Sequence, residues 1–295
     1  MDTHVTIVWY GDEDTEAVDR AFRAMKDVEQ RMSAYEPLSE VTAINAAAGE
    51  GAVRVSEDTF EVIALALEVA EMTGGTFDPT VFPLVEIWQQ PLPSQEAIDE
   101  ALAWVDHQKV ILDPDTQQVE LLETGMGLDL GGIAKGYAVD RAAQELRRAG
   151  IERALIDAGG DLYGLGQRID DTPWRIAVQH PRAGDRYLVV VPLVEQAVVT
   201  SGDYQRYTEV AGVRYHHIYD PRTGWPADTG LISSTVLAPS ADWADGLSTA
   251  LFVLGLRAAM ELVERLDGVE ALLVTTEGET WVSSGLEDKV EILGW

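Results

Sequence analysis

The sequence predicts an α+β fold, built as a single compact unit that could divide into two lobes. Three observations predict it. Apolar residues make up 46% of the 295 positions, enough to bury a sizeable core. Helix-period and strand-period stretches are mixed along the chain, without the strand–helix–strand alternation of a doubly wound parallel sheet. Strand patterns also crowd into the second half, and no internal repeat, low-complexity tract or Pro/Ser-rich linker interrupts them.

His4–Tyr10 is β-branched and aromatic and reads as a first strand. Residues 15–32 switch to helical period, with Val18, Phe22, Met25, Val28 and Met32 on one face and acids and arginines opposite. A loop is expected over Ser33–Glu40. Ser56 is placed to cap a second helix whose face carries Phe60, Ile63, Leu67 and Ala70, and Gly74–Gly75 stops it. Residues 108–113 and 117–122 alternate around Pro114-Asp115-Thr116, which predicts a hairpin. A third helix is expected over 132–148, ending at Gly150. Strands are then expected over 153–158, 174–179, 187–194, 213–219, 231–237, 270–275 and 279–283, with helices over 240–253 and 256–266.

Charge excludes several classes of function. Lys and Arg number 21 against 51 Asp and Glu, a formal charge of −30. The basic footprint of a nucleic-acid binder is missing, as is one that would adsorb to an anionic membrane. Only four lysines occur: Lys26, Lys109, Lys135 and Lys289. Self-repulsion at this charge opposes a compact state, and near-molar salt, with a Debye length of about 3 Å, removes most of that cost. Salt adaptation is therefore expected: the melting temperature should rise from low to molar NaCl, and a fall would refute it. Cysteine is absent, so disulfides, Cys-ligated zinc, iron–sulfur clusters and thiol nucleophiles are excluded. No apolar run approaches the roughly 18 residues of a membrane span. Met1–Val8 lacks the basic and apolar regions of a signal peptide.

Four stretches use Gly, Asp, Thr and Pro in ways a plain core would not. Thr73-Gly-Gly-Thr-Phe-Asp-Pro-Thr80 ends a helix in a tight bend that leaves Phe77 and Asp78 at the turn; a simple helix cap and turn accounts for it equally well. Leu128-Asp-Leu-Gly-Gly-Ile-Ala-Lys-Gly-Tyr137 feeds a strand end through Gly131-Gly132 into a helix whose first-turn amides suit an anion. Lys135 stands there as a point charge for a phosphate, or as a surface lysine beside a turn. The spacing is neither a Walker loop nor a dinucleotide GxGxxG. Thr200-Ser-Gly-Asp-Tyr204 and His216-His-Ile-Tyr-Asp-Pro-Arg-Thr-Gly224 place His217, Asp220, Arg222 and Thr223 near one another. Adjacent histidines on a strand face opposite ways, so one at most serves a given site. In Ser240-Ala-Asp-Trp-Ala-Asp-Gly-Leu-Ser-Thr249, Asp245 and Thr249 are four apart on one helix face and offer hard oxygens to Mg2+. Helix capping by Asp242 or Asp245 is the alternative.

Taken in order, these motifs resemble one family. Met1-Asp-Thr, Ser33-Ala-Tyr-Glu-Pro-Leu-Ser-Glu with Asn45, the Thr73–Thr80 and Leu128–Tyr137 stretches, Gly159-Gly-Asp161, Thr200–Tyr204, His217–Gly224 and Ala244-Asp245 with Thr249 together resemble the FAD:protein FMN transferase (ApbE) family over essentially the whole chain. No single motif decides this; the ordered set does. The resemblance implies an enzyme that binds FAD and Mg2+, moves FMN onto a Ser or Thr hydroxyl of a flavoprotein subunit of a membrane electron-transport complex, and releases AMP. It implies a periplasmic location, with a lipid anchor in the full-length form. The family's lipobox cysteine is not in this sequence, and Met1 aligns with a methionine that normally lies after it.

Residue by residue, the resemblance makes Met1, Tyr35, Thr76, Phe77, Asp78, Asp129, Lys135 and Ile218 FAD contacts, with Asp161 a further contributor. It makes Asp245, Thr249 and the Gly132 carbonyl Mg2+ ligands. Tyr35 and Asn45 fall near the family's flavin entrance, where they would tune transfer against hydrolysis. His217 has the natural pKa for a base, with Asp203 or Asp220 as alternatives, and Lys135 would neutralise the diphosphate. Two other readings stay open: an Mg2+-dependent FAD pyrophosphatase giving FMN and AMP, and a non-catalytic flavin-binding protein.

Overall fold

The structure, a computed structural model, describes residues 3–11, 15–90 and 92–294. The chain opens with β1 (Val5–Tyr10), α1 (Thr15–Met32), α2 (Glu40–Ala46), β2 (Val53–Arg54) and α3 (Glu57–Met72). Then come α4 (Phe82–Ile87), α5 (Gln95–Leu102), the hairpin β3 (Val110–Asp113) and β4 (Gln118–Leu121), and α6 (Ala134–Arg148). The strand-rich half holds β5 (Arg153–Ala158), β6 (Asp161–Leu165), β7 (Trp174–His180), β8 (Ala183–Leu193), β9 (Gln196–Gly202), β10 (Tyr207–Val210), β11 (Val213–His216) and β12 (Leu231–Ala238). It closes with α7 (Ala241–Leu254), α8 (Leu256–Val263), β13 (Glu270–Thr275), β14 (Thr280–Val282) and β15 (Glu291–Ile292).

One sheet organises these elements, in the order β1-β5-β6-β9-β12-β13-β14, with every ladder antiparallel. This is the α+β architecture that the mixed periodicity predicts. Its two faces bury alternate residues. On one face Ala197, Val199, Ala271 and Leu273 join the main core with α1, α3, α6 and α7. On the other, Val198, Leu272 and Val274 meet Trp174, Ile176, Val191 and Leu193 of the smaller sheet β15-β8-β7. The central strand β12 is consequently buried at all eight positions. Among the described residues, no helix is long and apolar enough to cross a membrane.

The helices seat as their stripes dictate, with one exception. Val18, Met25, Val28 and Met32 of α1 are buried, but Phe22 is 39% exposed. Ala17 and Ala21 take the closest-packed positions in its place. Ser56 caps α3 as expected, accepting the Thr59 N–H. The α7 start differs. Ser240 makes no capping bond to the backbone; Asp140 of α6 reaches across and accepts the N–H groups of Ala241 (2.8 Å) and Asp242 (2.9 Å).

The reciprocal bond runs from the Gly136 N–H, in the first turn of α6, to Asp245 Oδ2 on α7 at 3.0 Å. Each helix thus satisfies the other's free N-terminal donors. The approach is so close that a Cβ on Gly136 would stand 2.1 Å from the Ala241 carbonyl oxygen. Gly136→Ala should therefore push the helices apart and lower stability by roughly 1–3 kcal/mol or more. A denaturation midpoint equal to that of the unaltered protein would show that the crossing tolerates the methyl group.

Candidate active site

Six segments converge on a cavity of about 310 Å³ at the α6–α7 crossing. The first follows α3, whose end is turned by Gly74 (φ +63°) and Gly75 (φ +78°). The bend expected at Thr73–Thr80 is both turn and wall: Phe77 is buried and lines the cavity, while Asp78 ties the loop together. Asp78 Oδ1 accepts the N–H and hydroxyl of Thr80 (2.8 and 2.6 Å), and Oδ2 faces the N–H and Nδ1 of His107 (3.1 and 2.9 Å). That hydrogen bond raises the His107 pKa. Thr76 donates to the Thr73 carbonyl at 3.2 Å.

The second segment runs from Asp129 into α6. The sequence reads the helix-start amides here as suited to an anion, and two of the amides in this stretch are already bonded within the protein. Asp129 Oδ1 accepts the Gly131 N–H at 2.7 Å, and Asp245 accepts that of Gly136. Two carboxylates occupy those two donors, and side chains add positive charge at the cavity. Lys135 lines it, and so does Arg206, from the loop after β9. Gly132 sits under α7, where a Cβ would come within 3.1 Å of the Phe77 ring and 3.6 Å of Thr249 Oγ1.

Beneath Lys135 lies a buried acidic pair. Lys135 Nζ is ion-paired and hydrogen-bonded to Asp161 Oδ1. Asp161 is 0% exposed, and among the described residues its Oδ2 has no hydrogen-bond partner. Burial, and next the charge of Asp245, push the Asp161 carboxyl well above the ordinary carboxylate range. Burial also raises Asp245, against the pull of Lys135. Burial works against the Lys135 ammonium, but Asp161 and Asp245 outweigh it and its pKa rises. One turn along α7, Thr249 Oγ1 lies 3.3 Å from Ser201 Oγ, which is itself 2.8 Å from Ser248 Oγ.

The adjacent histidines separate as strand geometry requires. His216 turns inward: Nε2 is 3.0 Å from the Ala227 carbonyl, its ring stands edge-on to Phe252, and Nδ1 accepts the Ile218 N–H. That last bond takes a donor from the ladder and ends β11 at His216, short of the expected 219. His217 lines the cavity, with Nδ1 3.1 Å from the Arg206 carbonyl. A carbonyl only accepts, so Nδ1 carries the proton and Nε2 is left with its lone pair. The ring is exposed on one side, and the partial loss of water on the other pushes its pKa down to about 4.

Tyr35, Thr76, Phe77, Asp78, Asp129, Gly132, Lys135, His217, Ile218, Asp245 and Thr249 thus share one cavity, with Asp161 behind Lys135. Met1 lies outside the described residues. Asp203 does not reach the cavity: Arg182 holds both its oxygens at 2.7 Å. Asp220 is likewise taken by Arg222, at 2.8 and 2.7 Å. Asn45 bonds the backbone of Leu128 (2.7 and 3.0 Å) and steadies the strand end before Asp129 from behind. Sequence reasoning missed Arg206 and Gln205, and gave no role to Ser201 and Tyr219 within the stretches it singled out; all four also line the cavity. The available signal was a lone arginine six residues after Thr200 in an acid-rich chain. A second cavity of about 340 Å³, walled by Val28, Met32, Ala34 and Leu130, joins the first at Tyr35, Asp129, Lys135 and Arg206.

The model of the ApbE family matches residues 1–273. The chain belongs to the ApbE family. Its ApbE relatives include the FAD:protein FMN transferase of Treponema pallidum, 35% identical over 94% of this chain and 82% of that protein. That of Haemophilus influenzae is 36% identical over 86% of this chain and 77% of its own. The ApbE protein of Thermotoga maritima superposes with a TM-score of 0.89 at 37% identity, covering 97% of this chain and 95% of that one. The Vibrio cholerae flavin transferase ApbE gives 0.89 at 29% identity, covering 98% and 96%.

Proposed function

We propose that this ApbE enzyme moves FMN from FAD onto a Ser or Thr hydroxyl of a flavoprotein subunit, in a membrane electron-transport complex, and releases AMP with the help of Mg2+. One observation carries this reading: two cationic side chains, Lys135 and Arg206, stand at the junction of two cavities, with Asp245 lining one of them and Asp161 paired to Lys135. A dinucleotide is two flat ring systems joined by a diphosphate, and the layout matches that outline. Apolar walls lie on either side, and a cation sits at the middle.

The donors fit a hard divalent cation. Asp245, Asp161 with its orphaned Oδ2, the Thr249 hydroxyl and the Gly132 carbonyl are all oxygens. No group of three or more His, Cys, Asp and Glu able to hold a metal exists among the described residues, so a hydroxyl and a carbonyl must complete the set. When bound, Mg2+ supplies charge neutralisation at the diphosphate.

In the transfer, the acceptor oxygen forms a bond to the flavin-side phosphorus, and the bond from that phosphorus to the bridging oxygen breaks. AMP leaves with that oxygen and its electron pair. Lys135 holds the diphosphate. The acceptor's proton passes to Nε2 of His217, left basic by the Nδ1–H bond to Arg206. Phe77 and Ile218 shield the site from bulk water. A held hydroxyl outcompetes water through proximity, worth up to about 7–11 kcal/mol in well-oriented systems.

The test supplies FAD, Mg2+ and a flavoprotein domain bearing the acceptor hydroxyl. The domain should gain the mass of FMN in a bond that survives denaturation and disappears when that residue becomes Ala or Val. Free FMN formed at the same rate with or without acceptor would instead establish the pyrophosphatase, and bound FAD without AMP release a carrier. The depressed pKa adds a second expectation. His217 acts while neutral, so the rate is present above its pKa and falls as pH drops through about 4. An acid limb in kcat/KM that stays unchanged in His217→Gln would remove His217 from the role.

A further inference from the structure

A third cavity, of about 410 Å³, opens on the other side of His217. It shares Gln205, Arg206, His217 and Tyr219 with the flavin-side cavity, and these four side chains form a common wall. Its remaining surface comes from Trp88 after α4 and from the β10–β11 ribbon. The floor is rigid: Trp88 stacks on Tyr215 (5.8 Å) and Tyr219 (5.6 Å), meets Trp225 edge-on (5.4 Å), and donates Nε1–H to the Gly224 carbonyl at 2.9 Å.

We infer that this trough docks the polypeptide segment of the acceptor protein that carries the reacting hydroxyl, and that it selects a segment with carboxylates near that hydroxyl. The inference rests on the transferase reading. Placement is the first argument. The acceptor is a protein, so its hydroxyl must reach the proton-accepting His217 from open surface while FAD fills the inner cavities. The trough meets the inner site at His217 itself. Charge is the second. The chain carries 51 acids against 21 bases, yet among the described residues no carboxylate lines the trough. Arg206 lines it, and among the described residues no carboxylate stands within ion-pair distance of that guanidinium. At the rim Arg214 lies 4.1 Å from the Tyr207 ring centroid and is itself paired with Asp203 at 3.7 Å, which leaves Arg206 as the cation open to a ligand. The net charge of −30 repels an acidic partner at long range, so a local patch with an unpaired guanidinium supplies both attraction and register. Flat aromatic walls suit a backbone with small side chains.

The test uses two synthetic decapeptides, each with a central threonine among Gly and Ala, one carrying two aspartates and the other two lysines. Calorimetric titration at low salt should show the aspartate peptide binding at least tenfold tighter. Thr208 lines only this trough and is exposed. Thr208→Trp should weaken that peptide at least tenfold with FAD affinity unchanged. Thr208→Arg should tighten it, a gain that misfolding cannot produce. Equal affinities for the two peptides, no binding of either at millimolar concentration, or indifference to both substitutions would overturn the inference. Peptide binding is read without flavin turnover. Failure of FMN transfer with charge-selective binding intact would therefore count against the transferase reading and not against the trough.

Discussion

Asp245→Asn should lose Mg2+-dependent AMP release by about 10³-fold, roughly 4 kcal/mol in the barrier, while folding normally. Two roles meet in this side chain, and the asparagine separates them. Its amide oxygen can still accept the Gly136 N–H now held by Oδ2, so the α6–α7 crossing keeps its bond. The charge that a hard cation needs is gone. Removing it also relieves Asp161, whose carboxyl is pushed up by burial and then by Asp245. The substituted apo-protein should accordingly melt at the same temperature or higher. Asp245→Ala should be as inactive and less stable, because a buried Gly136 donor left unpaired costs about 1–3 kcal/mol. Thr249→Val should do less, since a neutral hydroxyl is a weaker ligand. Metal-dependent turnover retained in Asp245→Asn would end the assignment of this pair to a cation.

The fold was legible where one segment carries its own signal. The α1 and α3 stripes, the β3–β4 hairpin and β5, β12 and β13 follow from periodicity and turn chemistry alone. The elements that escaped depend on neighbours. Strand β6 begins directly after Gly159-Gly160 and β9 ends in Thr-Ser-Gly, so both read as loop motifs until flanking strands pair with them. Helices α2 and α4 are seven and six residues long, too short for a period to register. The same division runs through the site. Tyr35, Phe77, Lys135 and Asp245 stood out because each sits in a run of residues that a core would not choose. Arg206 and Gln205 did not, because their importance comes from which cavity they face. The ion pairs that withdraw Asp203 and Asp220 come from Arg182, 21 residues away, and Arg222, two residues away. Sequence shows the carboxylates and not their partners' rotamers.

Lys135→Met should weaken FAD binding by roughly 10- to 100-fold, the span of a charge-assisted contact of about 1.5–3 kcal/mol, and leave riboflavin binding unchanged. Riboflavin lacks the diphosphate, so an equal loss for both ligands would show that the lysine supports the ring pocket and not the phosphates. Stability must be separated from binding here, because Lys135 also neutralises Asp161. Without it, a fully buried carboxyl loses its cation, a change that costs up to about 3–5 kcal/mol when the charge has no other refuge. Asp161 has one: its pKa already stands high, and protonation would shed the charge. The loss of stability should therefore be smaller at low pH and grow as pH rises, since the unpaired carboxylate form is the costly one. Adding Asp161→Asn should restore the melting temperature, because the amide is neutral at every pH. It should not restore FAD affinity, because the positive charge facing the diphosphate is still missing. Recovery of both in the double variant would make Lys135 a purely structural counter-ion and move the diphosphate site to Arg206, the other cation at the cavity junction.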